Sequence, residues 1–218
     1  MNNNLTELVF ILDRSGSMGG LEKDTIGGYN SFIEKQRQED GEANLTTVLF
    51  DHAYELLHDR ADIKKVKPMT DKEYSVRGTT ALLDAIGVSI TATGKKLEGI
   101  AEAERPGKVL FVITTDGMEN ASKEYTAGSI KSMIEHQKEK YSWEFLFLGA
   151  NIDAVKTAES FGIAKEMAVD YLCDSEGVGV VYREMAEAVS CYRKSKSKAM
   201  PATWKCEIDA DFEKRSAK

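Results

Sequence analysis

Two uninterrupted apolar runs constrain the fold more than any other feature of the sequence. Residues 8–12 read LVFIL and residues 109–113 read VLFVI. Strands that are apolar on both faces are typical of the interior of a parallel sheet covered by helices. Amphipathic helical patterns occur between such runs, the longest at residues 21–38 and 82–104. The alternation predicts an α/β fold with a doubly wound, Rossmann-like, mostly parallel sheet and helices on both faces.

A short polar turn predicts one antiparallel edge strand. Residues 45–50 and 54–58 have strand patterns and are joined only by Asp51-His52 and Ala53. So short a connection makes a hairpin, which places the second strand at the sheet edge. Further strands are predicted at 145–148 and 167–171, and further helices at 127–140, 153–161 and 176–193.

No linker divides the chain, so residues 1–193 are predicted to form one domain and residues 194–218 a flexible tail. Lys194, Lys196 and Lys198 alternate with serines at the start of this tail, and Pro201 interrupts any helix. These lysines either form a basic docking patch or complement the helix dipole and then extend into solvent.

Composition excludes several classes of protein. The 218 residues carry 29 Lys+Arg against 36 Asp+Glu, a net charge of −7 that opposes binding to nucleic acid. No apolar stretch approaches the roughly 18 residues of a membrane span. The N-terminal residues lack a signal-peptide pattern, so a cytoplasmic location is expected. The three cysteines, Cys173, Cys191 and Cys206, are too widely spaced for a zinc knuckle or a disulfide framework.

Polar loops follow both apolar strands. Asp13, Ser15 and Ser17 come directly after the first, and Asp116 comes directly after the second. The carboxyl ends of parallel strands meet in one crevice, so these side chains are expected to converge. Thr80 precedes the long helix and joins them if its loop reaches the same edge.

The residue types in this set favour a hard divalent cation. Two carboxylates and up to three hydroxyls, without imidazole or thiol, suit Mg²⁺ or Mn²⁺ better than zinc. Each segment alone has a simpler interpretation. Asp13 could satisfy backbone donors in a turn, Thr80 could cap a helix, and Asp116 could belong to a turn. Together, the three segments favour a metal site.

At this point the sequence resembles a known family. The Asp-x-Ser-x-Ser loop from Asp13, the Gly-x-Thr segment from Gly78 and the Thr-x-Asp-Gly segment from Thr114 resemble the metal-ion-dependent adhesion site of von Willebrand factor A (vWA) domains. They occur in the family's order and at the corresponding ends of the predicted elements. The resemblance extends from about Leu5 to about Ala188.

The resemblance implies a role for each residue. Ser15 and Ser17 would bind the metal through their hydroxyls. Asp13 would act largely through bound water and by orienting the serine loop. Asp116 would bind directly or through water, and Thr80 would engage when an acidic partner residue docks.

The resemblance also implies a function. A bound Mg²⁺, or Mn²⁺, would capture an Asp or Glu carboxylate of a partner protein, without enzymatic activity.

Thr79 competes with Thr80 for the last ligand position, although the spacing to Leu82 and Ala85 favours Thr80. Six neighbouring residues are expected to contact the partner: Arg14, Met18, Arg77, Met118, Glu119 and Asn120.

The alternative is a Mg²⁺-dependent phosphohydrolase with Asp13 as the nucleophile. That chemistry commonly requires a second acid two residues further on, where this sequence has Ser15. It also requires a lysine near the phosphate, a role that Lys108 or Lys123 would fill only if the fold brought it there. No Gly-x-x-x-x-Gly-Lys-Ser/Thr loop is present.

Overall fold

A computed structural model describes residues 1–197, 199–201 and 203–216 as one six-stranded sheet with helices on both faces. Its strands and helices have the following bounds: β1 Asn2–Asp13, α1 Glu22–Gln38, β2 Glu42–Phe50, β3 Tyr54–Asp62, α2 Leu82–Glu98, β4 Pro106–Thr115, α3 Ala127–Tyr141, β5 Glu144–Ala150, α4 Ala154–Ser160, β6 Ala168–Tyr171, α5 Ser175–Lys194 and α6 Cys206–Ser216.

The strand order is β3-β2-β1-β4-β5-β6, with every neighbouring pair parallel except β2 and β3. This arrangement confirms the predicted fold class and the antiparallel edge strand. The two apolar runs lie side by side in the centre, where Leu8 of β1 is opposite Leu110 of β4. Alternate side chains of β1 therefore enter different hydrophobic layers: Phe10 joins the layer shared with α1 and α5, and Ile11 joins the layer shared with α2 and α3.

The ends of the long helix and of the edge strand differ from the sequence-based expectation. The long helix ends at Glu98 instead of residue 104, because Gly99 terminates it and a separate 3-10 turn, Glu102–Glu104, follows. The edge strand continues to Asp62, four residues beyond its predicted end at residue 58. The start of α4 agrees with the prediction, since the Asp153 side chain accepts a hydrogen bond from the backbone of Lys156.

The C-terminal segment forms a helix that packs on the sheet domain. Trp204 is only 5% exposed and donates from Nε1 to the carbonyl of Glu166 at 2.7 Å. Ile208 of α6 is buried in the same hydrophobic layer as α5. The segment was predicted to be a flexible tail, but in the structure it is packed. Apolar side chains after Pro201 are buried against a surface of the domain that the sequence pattern alone does not reveal. Lys198, one of the three alternating lysines, lies outside the described residues.

Helices of the length and apolar character needed to cross a membrane do not occur in the described part of the chain.

Candidate metal centre

Backbone hydrogen bonds join the loop after β1 to the loop before α2. Gly16 donates to the carbonyl of Gly78 at 3.1 Å, and Arg77 donates to the carbonyl of Arg14 at 2.8 Å. The second loop therefore reaches the carboxyl edge of the sheet, as its proposed role requires. Asp116 follows β4 at that same edge, so the structure brings all three segments together.

Three hydroxyl groups surround one point beside Gly117. A Cβ placed on Gly117 would lie 3.0 Å from Ser17 Oγ, 3.2 Å from Thr80 Oγ1 and 3.9 Å from Ser15 Oγ. The two serine hydroxyls are themselves 3.1 Å apart. Gly117 thus leaves a small space that is lined by three neutral oxygen ligands of the kind predicted.

The two threonines that were considered as the last ligand lie in different surroundings. Thr80 is buried with its hydroxyl in this cluster, and Thr79 is exposed. The Thr80 backbone is fixed by the loop after β4, because its N–H donates to Asn120 Oδ1 at 2.9 Å and its carbonyl accepts from the N–H of Asn120 at 3.1 Å.

Asp13 is fully buried, and both of its carboxylate oxygens accept hydrogen bonds. Oδ1 accepts from the backbone N–H of Ser15 at 2.7 Å, and Oδ2 accepts from Thr115 Oγ1 at 2.6 Å. Burial raises the pKa of Asp13, although these hydrogen bonds oppose the shift. The Tyr74 hydroxyl also donates to the Asp13 carbonyl at 2.7 Å. Through its bond to the Ser15 N–H, the Asp13 carboxylate holds the start of the serine loop.

One carboxylate oxygen of Asp116 lacks a hydrogen-bond partner among the described residues. The residue is 1% exposed, and its Oδ1 is buried without a hydrogen bond to any described residue. An unpaired carboxylate oxygen in such a place is costly unless a cation or a donor satisfies it. Its other oxygen, Oδ2, accepts from the Cys173 thiol at 2.6 Å. Burial and the Asp116 carboxylate raise the pKa of Cys173 to about 12, so this thiol stays protonated and donates.

The donor set fits a hard divalent cation. Among the described residues, no three His, Cys, Asp or Glu side chains gather in a way that could hold a metal, so hydroxyls must complete any coordination here. The orphaned Asp116 Oδ1 and the hydroxyl cluster beside Gly117 supply such a set. Oxygen-rich ligands with low formal charge are those that Mg²⁺ and Mn²⁺ prefer.

No family model matches this sequence, and no curated protein matches it. Solved structures do match. The vWF domain of the type V pili tip protein Mfa5 from Porphyromonas gingivalis is 9% identical, with a TM-score of 0.62, over 88% of this chain and 97% of that chain. The pilus adhesin SpaC from Lactobacillus rhamnosus GG, in an open conformation, is 11% identical, with a TM-score of 0.64, over 87% and 30%.

Proximal thread matrix protein 1 from the mussel byssus, with a zinc-occupied MIDAS motif, is 17% identical, with a TM-score of 0.54, over 85% of this chain and 46% of that chain. This chain therefore spans less than half of the mussel protein. It has the vWA fold.

Two of the residues that were expected to contact a partner are buried in the structure. Arg14 and Met18 are only 2% and 3% exposed, so neither side chain faces a partner. Arg14 points inward because its Nε donates to the buried Asp51 at 3.0 Å. Arg77 also donates from Nε to Asp51, at 2.7 Å, although its side chain is half-exposed. These arginines hold the loops at the carboxyl edge of the sheet in place.

Of the other residues that were expected to contact a partner, one fixes a loop and two are exposed. Glu119 accepts from the backbone N–H groups of Leu83 and Ala121, each at 2.9 Å, and thereby fixes the loop to the start of α2. Met118 is 74% exposed and Asn120 is also exposed. These two residues, with the outer part of Arg77, are the accessible members of the predicted set.

Three residues whose side chains support the candidate site were not predicted from the sequence. Asp51 follows β2 and Cys173 lies just beyond β6, so the same rule that selected Asp13 and Asp116 would have found both. Thr115 is the last residue of β4 and follows another threonine, Thr114, so its polar character alone does not distinguish it.

Proposed function

We propose that this protein is a divalent-metal-dependent interaction module that captures an acidic residue of a partner protein. One observation carries the proposal: Asp116 Oδ1 is buried and has no hydrogen-bond partner in the described part of the chain. It lies at the same carboxyl edge as the hydroxyls of Ser15, Ser17 and Thr80. These four residues would hold Mg²⁺, or Mn²⁺, with Asp13 orienting the serine loop. The bound ion would supply a positive charge with open coordination positions for a carboxylate.

The charge balance supports a carboxylate as the captured group. Asp13 and Asp116 give a formal charge of −2 against the +2 of the ion, and the three hydroxyls are neutral. The ion keeps enough local positive character to attract one carboxylate, and a metal–oxygen contact shielded from water is strong. Met118 and Asn120 would contact the partner chain on either side of its acidic residue.

The phosphohydrolase alternative requires an accessible carboxylate as nucleophile, and Asp13 does not offer one. Both oxygens of Asp13 accept hydrogen bonds within a fully buried site, which leaves no oxygen exposed for attack on a phosphorus. Lys108 is at the opposite end of the sheet, where its ammonium donates to carbonyls at the end of α5, including that of Arg193. Lys123 is exposed on the loop before α3. These placements support a non-enzymatic role.

A cytoplasmic setting is part of the same proposal. Cys173, Cys191 and Cys206 are all free thiols. Unpaired cysteines are typical of a reducing compartment, and exposed ones especially so. Solved structures with this fold include pilus proteins, so the location needs its own test by fractionation.

A peptide selection tests the proposed function. The immobilised protein would be exposed to a displayed random-peptide library in Mg²⁺, and bound phage would be eluted with chelator. We expect enriched peptides to share an Asp or Glu whose change to Asn or Gln abolishes binding. The Thr80→Ala variant should bind them weakly. Peptides that bind equally well in chelator, or without an acidic residue, would contradict the mechanism.

A further inference from the structure

The ends of three consecutive parallel strands place a thiol beside the metal edge. Asp116 follows β4, Asn151 follows β5 and Cys173 lies two residues beyond the end of β6. The thiol of Cys173 donates to Asp116 Oδ2 at 2.6 Å, and Cys173 is partly exposed. Cys173 therefore touches a residue of the candidate metal site although it belongs to none of its three sequence segments.

We propose that Cys173 is a positioning residue for Asp116, whose thiol holds Oδ2 and thereby leaves Oδ1 as the oxygen that binds the metal. The proposal rests on the metal site of the proposed function and adds a residue that determines its affinity.

The two oxygens of a carboxylate are chemically equivalent until a neighbour distinguishes them. Here one oxygen has a donor, whereas the other, Oδ1, is buried without a partner among the described residues. A fixed donor on Oδ2 prevents rotation of the carboxylate and presents Oδ1 in a single direction. Hydrogen bonds to ligating groups commonly act in this way, and their loss weakens metal binding about 10–100-fold.

The position of Cys173 is itself supported from two directions. The next residue, Asp174, accepts from the N–H of Gly177 at 2.8 Å through Oδ1, which caps the start of α5. Its Oδ2 accepts from Arg215 Nη1 of α6 at 2.8 Å. The loop that carries the thiol is therefore fixed both by α5 and by the C-terminal helix.

The direct test is the affinity for Mn²⁺, measured by the electron paramagnetic resonance signal of the free ion. The exposed Cys191 and Cys206 are first changed to Ser, so that Cys173 is the one thiol in the parent protein. Cys173→Ala removes the donor, and Cys173→Ser replaces it with a hydroxyl donor of similar size. We expect the alanine variant to bind Mn²⁺ about 10-fold more weakly or worse, and the serine variant to remain within about 3-fold of the parent.

A reversible modification covers the case in which the alanine variant fails to fold. Prolonged treatment with excess methyl methanethiosulfonate, which is needed because the Cys173 thiol stays protonated, converts the thiol of the folded parent to a methyl disulfide and releases methanesulfinic acid. The product has no S–H donor, so Mn²⁺ affinity should fall as in the alanine variant. Reduction with dithiothreitol should restore it, which a general loss of structure would not allow.

Three results would overturn the proposal, and they are distinguishable. Equal Mn²⁺ affinity of the parent and alanine variants would remove the positioning role and leave the metal site intact. A near-ultraviolet thiolate charge-transfer band in the Co²⁺-loaded parent, absent from the serine variant, would show that Cys173 is itself a ligand. Failure of the parent to bind Mn²⁺ at all would overturn the metal site and, with it, this proposal.

Discussion

The hydroxyl of Thr115 donates to Oδ2 of Asp13 across 2.6 Å, joining two residues that are 102 positions apart in sequence. Both are buried at the carboxyl ends of the two central strands. Because Ser15 occupies the other oxygen of Asp13, the carboxylate has a single orientation before any ligand arrives. The serine loop and the loop after β4 are therefore positioned as one unit.

Loss of the Thr115 hydroxyl should weaken both the fold and the metal site. Thr115→Val keeps the shape of the side chain and leaves Asp13 Oδ2 buried without its donor. We expect a loss of about 1–3 kcal/mol in the free energy of unfolding, measured by urea denaturation. Thr114→Val is the matched control. The Thr114 side chain is on the other face of the sheet, and its hydroxyl is 3.4 Å from the carbonyl of Ile11. A larger loss in the control than in Thr115→Val would contradict the assigned role.

Asp13 should reduce the stability of the metal-free protein. Burial raises the pKa of its carboxyl, so the folded state holds the proton more tightly than the unfolded chain does. The contribution of this group to stability is therefore present at acid pH, below about 4, and is lost as pH rises through the folded pKa. Asp13→Asn should raise the metal-free unfolding midpoint at pH 7 and abolish the response to Mg²⁺. A lower midpoint in the absence of metal would show that the charge is compensated within the protein.

Gly117 should be essential to metal binding and nearly neutral for folding. A methyl group in Gly117→Ala would stand 3.0 Å from Ser17 Oγ and 3.2 Å from Thr80 Oγ1, in the space proposed for the ion. We expect at least a 10-fold loss of Mn²⁺ affinity with a folded circular dichroism spectrum. Gly94→Ala, whose Cβ meets nothing within 4 Å, is the control and should bind normally. Unchanged affinity in Gly117→Ala would place any metal elsewhere.

The pH dependence of Asp51 should have the opposite sign to that of Asp13. Burial opposes its ionisation, but hydrogen bonds from Arg77 and Arg14 outweigh burial and lower its pKa. Its contribution to stability is present above the unfolded pKa, near 4, and is lost as pH falls through the folded pKa.

The Asp51→Asn variant tests this network. Its free energy of unfolding should fall by about 3 kcal/mol at pH 7, because Arg14 stays buried without its buried partner. Below about pH 4, its free energy of unfolding should depend less on pH than that of the wild type. Glu55→Gln, at a half-exposed partner of Arg14, should cost less than about 1 kcal/mol. Equal losses in the two variants would contradict the central position of Asp51. Urea denaturation at several pH values measures both.

Much of the fold could be predicted because β1 and β4 are apolar on both faces, a pattern that few environments other than a covered sheet allow. Asp13 and Asp116 could be predicted as neighbours because both follow such strands. The inward direction of Arg14 could not be predicted, since its partner Asp51 follows a different strand and only tertiary contact joins the two residues.

The C-terminal helix illustrates a second limit of the sequence. α6 buries only Ile208 among its own residues, so its pattern carries little amphipathic signal. It is held by contacts that depend on the finished fold, such as that of Arg215 with Asp174. Trp204 belongs to the same packed segment. Its burial could not be predicted, because its hydrogen-bond partner, the Glu166 carbonyl, is 38 residues away in the sequence.

The central claim is that Ser15, Ser17, Thr80 and Asp116 form a site for a divalent cation. It is tested most directly by thermal unfolding of chelator-stripped protein during titration with Mg²⁺ and with Mn²⁺, wild type beside Asp13→Ala. At 100 times the dissociation constant, the metal should stabilise the wild type by about 2.7 kcal/mol and leave the variant unchanged. A wild-type midpoint that does not respond to either ion would contradict the metal site and leave only the fold.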